Sequence, residues 1–372
     1  MRFQKHRSAV WRFNNLMKFA GWLQTIPNKM TPPPFRLMQI GSAFWQSRAL
    51  YVAARLNIAS VLGDAQLSAD EIAERVSAQP DAIFRLLRLL AAMGIFQQTA
   101  ARSFANNRLS EPLRDDSQNN VRAMILMHNS DEMSRPWYEQ LENSVRDGGI
   151  AFERSHGAEL YDYMNDHPEF DTLFSQAMDN VEALSGDSFA RDFDWGRFER
   201  VIDVGGSKGS KSIAILKRHP ELKALVIDRA QVIHDAEQHW QGREAPNLLA
   251  RLNFQAGDLF GVLPKANNDK DIYLLSAVLH GFNDETCINA LSNLARACGT
   301  TGARVALMEV VMAETRADLA TASFDMQMFM GTRGRERTLA QWSSLFDKAG
   351  FVLEEQVDLQ SFAKLLVLRV KK

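Results

Sequence analysis

In the second half of the chain, from about residue 193, short β-branched runs alternate with helical segments. The runs are RVIDV from Arg200, ALVID from Ala224, LNFQ from Leu252, DIYLLS from Asp271 and RVALMEVV from Arg304. Strands this apolar, with room for a crossover helix between successive runs, pair as a parallel sheet covered on both faces. The last two runs, FVLEEQVDL and KLLVLRV, leave no room for a crossover and are expected to pair antiparallel at one edge. The fold class is therefore α/β: a doubly wound, mostly parallel, seven-stranded sheet.

Upstream the chain is helical. Its 372 residues are many for one core, and 46% apolar against 24% charged residues is the balance of an ordinary globular protein, so two domains are expected. The proline cluster TPPPF at 31–35 should stop any preceding helix, and from Met38 to about Leu62 apolar residues recur at helical spacing. In LSADEIAERV, Ser68 and Glu71 form an S-x-x-E capping box; in PDAIFRLLRLLAAMG, Pro80 starts a helix and Gly94 stops it. GIFQQ and RSFAN follow as a small hairpin, which completes a winged-helix plan. DNA reading does not fit it, because Asp70, Glu71, Glu74 and Asp81 outnumber Arg75, Arg85 and Arg88 there. Residues 121–190 continue helical, rich in methionine and aromatics suited to a core, a subunit interface or a flat organic ligand. The expected division is an extension over 1–37, a helical winged-helix-like domain over 38–190 and the α/β domain over 191–372.

A net charge of −2 gives no reason to expect nucleic acid as a partner. Cys287 and Cys298 cannot make a disulfide framework or a metal site, which suits a reducing cytoplasm, and no apolar run is long enough for a membrane span. The N-terminal stretch mixes Arg2, Lys5, Arg7, Arg12 and Lys18 with Phe3, Trp11, Phe13, Leu16, Phe19, Trp22 and Leu23. It could lie on a membrane surface; packing on a partner subunit is the expectation adopted.

The first strand of the α/β part runs into DVGGSKGSKS, residues 203–212, and then a helix. A glycine-rich turn there lets a ligand approach the backbone and meet unpaired N–H donors. Three templates fail. A Walker A loop lacks its second glycine, since Ser210 precedes Lys211 and Ser212. The dinucleotide fingerprint has Ser207 where its second glycine belongs. Gly205, Ser207 and Gly209 match a hydrolase nucleophile elbow literally, but such a sheet needs several strands before its elbow. The downstream spacing decides. ALVID ends in Asp228, placed to accept both hydroxyls of a ribose, and LNFQ leads to Gly257 and Asp258. Asp258 could receive an exocyclic amine while Phe260 or Leu259 lies along an adenine face. The ligand is read as an adenosine with no triphosphate.

DVGGSKG, LVIDRAQVI, GDLF, LHGFNDE, LMEVV and GRERT, with FWQSRALYVAARLNIASVL and FRLLRLLAAMGIF upstream, resemble one family. It is the dimeric S-adenosylmethionine-dependent small-molecule O-methyltransferases, typified by plant caffeate and hydroxyindole enzymes and by bacterial tailoring enzymes of polyketide and phenazine pathways. The resemblance implies a class I methyltransferase domain, S-adenosylmethionine as cofactor with S-adenosylhomocysteine as product, and a homodimer formed through the N-terminal domain. Transfer would be in line to a hydroxyl of a small aromatic secondary metabolite, without a metal. The cofactor positions it implies are Asp203, Gly205, Gly206, Ser207, Gly209, Asp228, Arg229, Gly257, Asp258, Leu259, Phe260 and Ser276. His280, after the fourth strand, would be the general base, with Glu309 and Glu336 as the carboxylates that hold it in one tautomer. An ion pair of Glu336 with Arg335 or Arg337 is the rival reading. Met328, with Phe174 and Met178 behind it, would wall the acceptor pocket or else be core. Departures from the family pattern are Lys208 in the loop, Gly281 and Phe282 after His280, and Ser276 where plant members often have lysine. They leave N-methylation of a heteroaromatic, a non-methylating hydroxylase, decarboxylase or cyclase, and a winged-helix regulator as alternatives.

Overall fold

The computed structural model describes residues 6–372, apart from the side chains at 24, 28, 182, 183, 185 and 237. Arg2, Phe3 and Lys5, counted in the basic stretch above, lie outside the described residues. The chain divides into two compact units. One is Trp22–Ser185; the other is Gly186–Lys372 with the N-terminal residues up to Gly21.

In the unit Trp22–Ser185, the periodic stretch 38–62 is not one helix but three, Pro33–Gly41, Ala43–Arg55 and Ile58–Leu62. The second break falls at Asn57, whose φ of 54° is a left-handed conformation that asparagine tolerates and a continuing helix does not. The proline cluster also starts a helix as well as ending one: the N-terminal helix Arg7–Met30 stops ahead of it, and Pro33 opens the next. The capping box forms as expected, Ser68 accepting from the Glu71 amide and Glu71 from the Ser68 amide, and starts the helix Ala69–Arg75. The helix Pro80–Ala92 follows, ended near Gly94 at φ 79°. Strands β1 (Leu67–Ser68), β2 (Gln97–Ala100) and β3 (Ser103–Ala105) form an antiparallel sheet in the order β1-β3-β2 over a core that includes Ile58, Ile72, Leu87, Leu90 and Phe104. Met127, Met133 and Met164 of the methionine-rich stretch pack with Phe152 and Phe170 in a second core.

The other unit carries β4 (Arg200–Val204), β5 (Lys223–Asp228), β6 (Leu252–Ala256), β7 (Asp271–Ser276), β8 (Arg304–Met312), β9 (Arg337–Thr338), β10 (Phe351–Asp358) and β11 (Ala363–Val370). The order is β10-β11-β8-β7-β4-β5-β6, with the two-residue β9 added on β8 beyond the seven strands expected. β4 to β8 pair in parallel, and β11 and β10 close the edge antiparallel. Alternation serves both covered faces: Tyr273 and Leu275 join one core, Ile272 and Leu274 the other. The chain leaves β4 for β5 on one side and reaches β7 on the other, so the sheet's switch point lies between the carboxyl ends of β4 and β7. Doubly wound sheets bind ligands at that crevice.

Candidate active site

On one side of the switch point β4 delivers the glycine loop. Gly205, Ser207 and Gly209 all have left-handed φ, 72°, 51° and 79°, so the chain turns back tightly onto the strand ends. A Cβ on Gly206 would stand 2.7 Å from Asp203 Cγ, and one on Gly205 3.0 Å from Val278 Cγ2 on the other side of the crevice. The loop is tied down through Ser212, whose hydroxyl donates to Asp203 at 2.8 Å, and through the Ser207 amide, which donates to Asp228 at 2.8 Å. Asp228 also accepts from the Arg229 amide at 2.8 Å. Its carboxylate is thereby fixed at the end of β5 with lone pairs remaining. The following helix, Ser210–Arg218, begins at Gly209 without a side-chain cap, leaving amide donors at its start.

Beyond β6, Gly257 lies flat on β5, since a Cβ there would be 2.7 Å from Ile227 Cγ2. Asp258 accepts from the Phe260 amide at 3.0 Å. Of the two candidates for an adenine face, Leu259 is packed into the sheet core, and Phe260 is exposed, edge-on to Phe282 at 5.5 Å. Glycines against the strand ends, a held acid for a diol, a second acid and an aromatic face fit an adenosyl group.

On the other side, β7 ends at Ser276. Ala277 takes a left-handed φ of 52°, a costly conformation for alanine, and the chain enters the short helical turn Leu279–Gly281 that holds His280. The imidazole Nδ1 is 2.7 Å from Glu336 Oε1, with side chains 14% and 0% exposed. With the carboxylate accepting, Nδ1 carries the proton and Nε2 keeps its lone pair. Burial pulls the His280 pKa down, but the hydrogen bond to Glu336 and the charges of Glu309 and Glu336 outweigh it, and the net shift is upward from the ordinary 6.5.

Glu309 holds something other than the ring. From β8 its Oε1 accepts the main-chain amides of Val278 at 3.1 Å and Leu279 at 2.9 Å, which fixes the turn. Burial raises its pKa, with the Glu336 charge adding to the rise while His280 and the two amides oppose it. The rival ion pair for Glu336 does not form with Arg337, which instead bonds Asp284 at 2.8 Å. Glu336 is steadied by its own amide, which donates to Asp325 at 2.8 Å.

Met328 is half-buried on the helix Leu319–Gly331, and Phe324 stands one turn before it on the same face, its ring 5.5 Å from that of His280. Phe174 and Met178 belong to the other unit, on the helix Pro168–Ser185, where Phe174 packs against Phe170 at 6.1 Å and Met178 is exposed. The sequence did not single out Phe324, Asp325, Asp284 or Gly334. A Cβ on Gly334 would fall 1.8 Å from the His280 carbonyl oxygen, so only glycine fits there.

A model described as the O-methyltransferase domain matches residues 138–352, and one described as the O-methyltransferase dimerisation domain matches 38–114. The chain belongs to the O-methyltransferase family. It is 30% identical over 318 residues to a phenazine O-methyltransferase of Lysobacter antibioticus, covering 86% of this chain and 91% of that one. It is 29% identical to a phenazine-1-carboxylate N-methyltransferase of Pseudomonas aeruginosa, covering 89% and 96%. The solved structure of mitomycin 7-O-methyltransferase superposes with a TM-score of 0.82 at 27% identity, covering 91% and 98%. The chain is thus an S-adenosylmethionine-dependent O-methyltransferase. Among the described residues no helix is long and apolar enough to cross a membrane.

Proposed function

We propose that this O-methyltransferase uses His280 as general base toward a hydroxyl on a small, flat aromatic acceptor. The observation that carries the reading is the 2.7 Å bond from Glu336 to His280 Nδ1, which leaves Nε2 basic at the rim of β7, across the switch point from the glycine loop. Asp203, Gly205, Gly206, Ser207 and Gly209 would hold the cofactor's amino-acid end and Asp228 its ribose. Gly257, Asp258 and Phe260 would hold the adenine, with Arg229 and Ser276 alongside. When bound, S-adenosylmethionine supplies an electrophilic methyl group on a sulfonium. His280 Nε2 takes the acceptor's hydroxyl proton, and Glu336 stabilises the imidazolium that results. Glu309 keeps the turn in place. General-base assistance of this kind typically contributes about 10²- to 10⁴-fold.

Phe324, beside His280, and Met328 share one face of the helix Leu319–Gly331, an apolar, sulfur-bearing surface that suits an aromatic ring; Phe174 and Met178 are assigned to acceptor binding as well. The names of the relatives support aromatic acceptors. The Pseudomonas relative is an N-methyltransferase by name, so nitrogen acceptors form the second reading. We assign dimerisation and acceptor coverage to residues 38–190, cofactor binding and catalysis to 191–372, and packing on a partner subunit to the extension 1–37, in a cytoplasmic homodimer.

The test is His280→Ala against a panel of phenols, aromatic carboxylates and heteroaromatic amines, with products weighed by mass spectrometry. Wild type should give S-adenosylhomocysteine in proportion to a product heavier by one methylene. The variant should bind S-adenosylhomocysteine within a few-fold of wild type and lose turnover on hydroxyl acceptors. A variant at full speed overturns the assignment.

A further inference from the structure

We propose that Arg337, held by Asp284, is a positioning residue for His280: it fixes the main chain on both sides of the imidazole and so sets where Nε2 points. The inference rests on His280 being the base.

The Arg337 side chain is wholly buried. Its Nε and Nη2 donate to Asp284 Oδ1 at 3.0 and 2.8 Å, Nη2 also donates to the Phe282 carbonyl at 2.8 Å, and Nη1 donates to the Leu279 carbonyl at 3.3 Å. The guanidinium carbon lies 5.0 Å from the Trp342 ring centroid. Leu279 and Phe282 bracket His280 and Gly281, so one rigid fork spans the turn that carries the base. The same segment grips the turn three more ways. The Arg335 amide donates to the His280 carbonyl at 2.9 Å, Gly334 lies against that carbonyl, and Glu336 bonds the imidazole. The segment is in turn anchored by β9 on β8, where Arg337 pairs with Val311.

The turn thus sits between two supports, Glu309 on its amides from β8 and Arg337 on its carbonyls from β9. From the helix Asp284–Cys298, the Cys287 thiol adds a bond to the Leu279 carbonyl at 3.2 Å. The titratable and charged groups around His280 are therefore Glu309, Glu336, Cys287, Asp284 and Arg337. A lysine could supply the charge but not the planar fork that reaches Asp284 and both carbonyls together. Misplacement of a reacting group by about 1 Å can cost on the order of 10²-fold in rate.

The experiment compares Arg337→Lys and Asp284→Asn with His280→Ala and wild type. It measures melting temperature, S-adenosylhomocysteine affinity by calorimetry, turnover on the acceptor found by the panel above, and the His280 imidazole titration by NMR in the S-adenosylhomocysteine complex. The imidazole signal is assigned by its loss in His280→Ala. Expected for Arg337→Lys are affinity within about threefold, kcat lowered about 10- to 100-fold with the acceptor KM little changed, and a His280 titration moved to lower pH as the Glu336 bond is lost. Arg337→Lys that is folded, titrates at the wild-type position and turns over within threefold of wild type overturns the proposal. If Arg337→Lys does not fold, Asp284→Asn, which keeps the shape of the partner, takes its place, with the same results expected and the same results overturning the proposal. If His280→Ala is itself fully active, the base assignment fails, while the NMR titration still reports whether Arg337 positions the ring.

Discussion

Replacing Glu336 by glutamine removes a charge but leaves an oxygen where Nδ1–H can still reach it. In wild type the pair is 2.7 Å apart with side chains 14% and 0% exposed, so solvent screens it little. A charge-assisted hydrogen bond is worth roughly 1.5–3 kcal/mol and a neutral one about 1. The charge alone therefore accounts for up to about 2 kcal/mol of stabilisation of the imidazolium, which at about 1.4 kcal/mol per decade is up to roughly 30-fold in kcat. A second effect adds to it. The glutamine can turn its amide donors toward Nδ1, pushing the imidazole proton to Nε2 and removing the lone pair. A carboxylate-to-amide change beside a catalytic histidine costs as much as about 10⁴-fold in the serine-protease triad. Glu336→Gln is therefore expected to lower kcat by about 10²- to 10⁴-fold.

The pH dependence has a definite sign. Burial pulls the His280 pKa down and its carboxylate neighbours lift it to a net position above the ordinary 6.5. The base works only when neutral, so activity in wild type falls as pH drops through a value above 6.5. In Glu336→Gln the burial remains and the first of the opposing causes is gone, so that acid limb moves to lower pH. The assay is the kcat profile from about pH 5 to 9 with saturating S-adenosylmethionine. A variant within threefold of wild type whose acid limb has not moved would refute the reasoning.

Two further outcomes follow from the glycines. Gly334→Ala places a Cβ 1.8 Å from the His280 carbonyl, so the turn must shift; kcat should fall at least about 100-fold while S-adenosylhomocysteine affinity stays within threefold, and matched losses in both would contradict a role confined to the histidine turn. Gly206→Ala puts a Cβ 2.7 Å from Asp203 Cγ and 2.9 Å from Val226 Cγ1, overpacking worth about 1–3 kcal/mol, and calorimetry should show S-adenosylhomocysteine binding at least about tenfold weaker, with unchanged affinity counting against the loop assignment.

Features written in local chemistry were legible in the sequence. The Ser68 capping box, the Pro80 helix start and the antiparallel closing pair depend on neighbours a few residues apart, and each formed. The crevice was legible because strand ends and their glycines and acids follow one another in order along the chain. The helical spacing over 38–62 does not reveal the breaks at Ser42 and Asn57, because apolar residues recur across both and nothing in their spacing marks the left-handed φ of Asn57. The supports of the histidine turn were not legible. Arg337 meets Asp284 and Phe282, and Asp325 meets the Glu336 amide, only after β9 has paired with β8, and no spacing marks such a pairing in advance. Glu309 was read as a partner of the ring, whereas its place in β8 aims it at two backbone amides instead.

The hydrogen bonds described around the base all join residues of Gly186–Lys372, and none of them draws on Trp22–Ser185. The positioning of the base is therefore self-contained within one unit, and a substitution in Trp22–Ser185 removes none of these bonds.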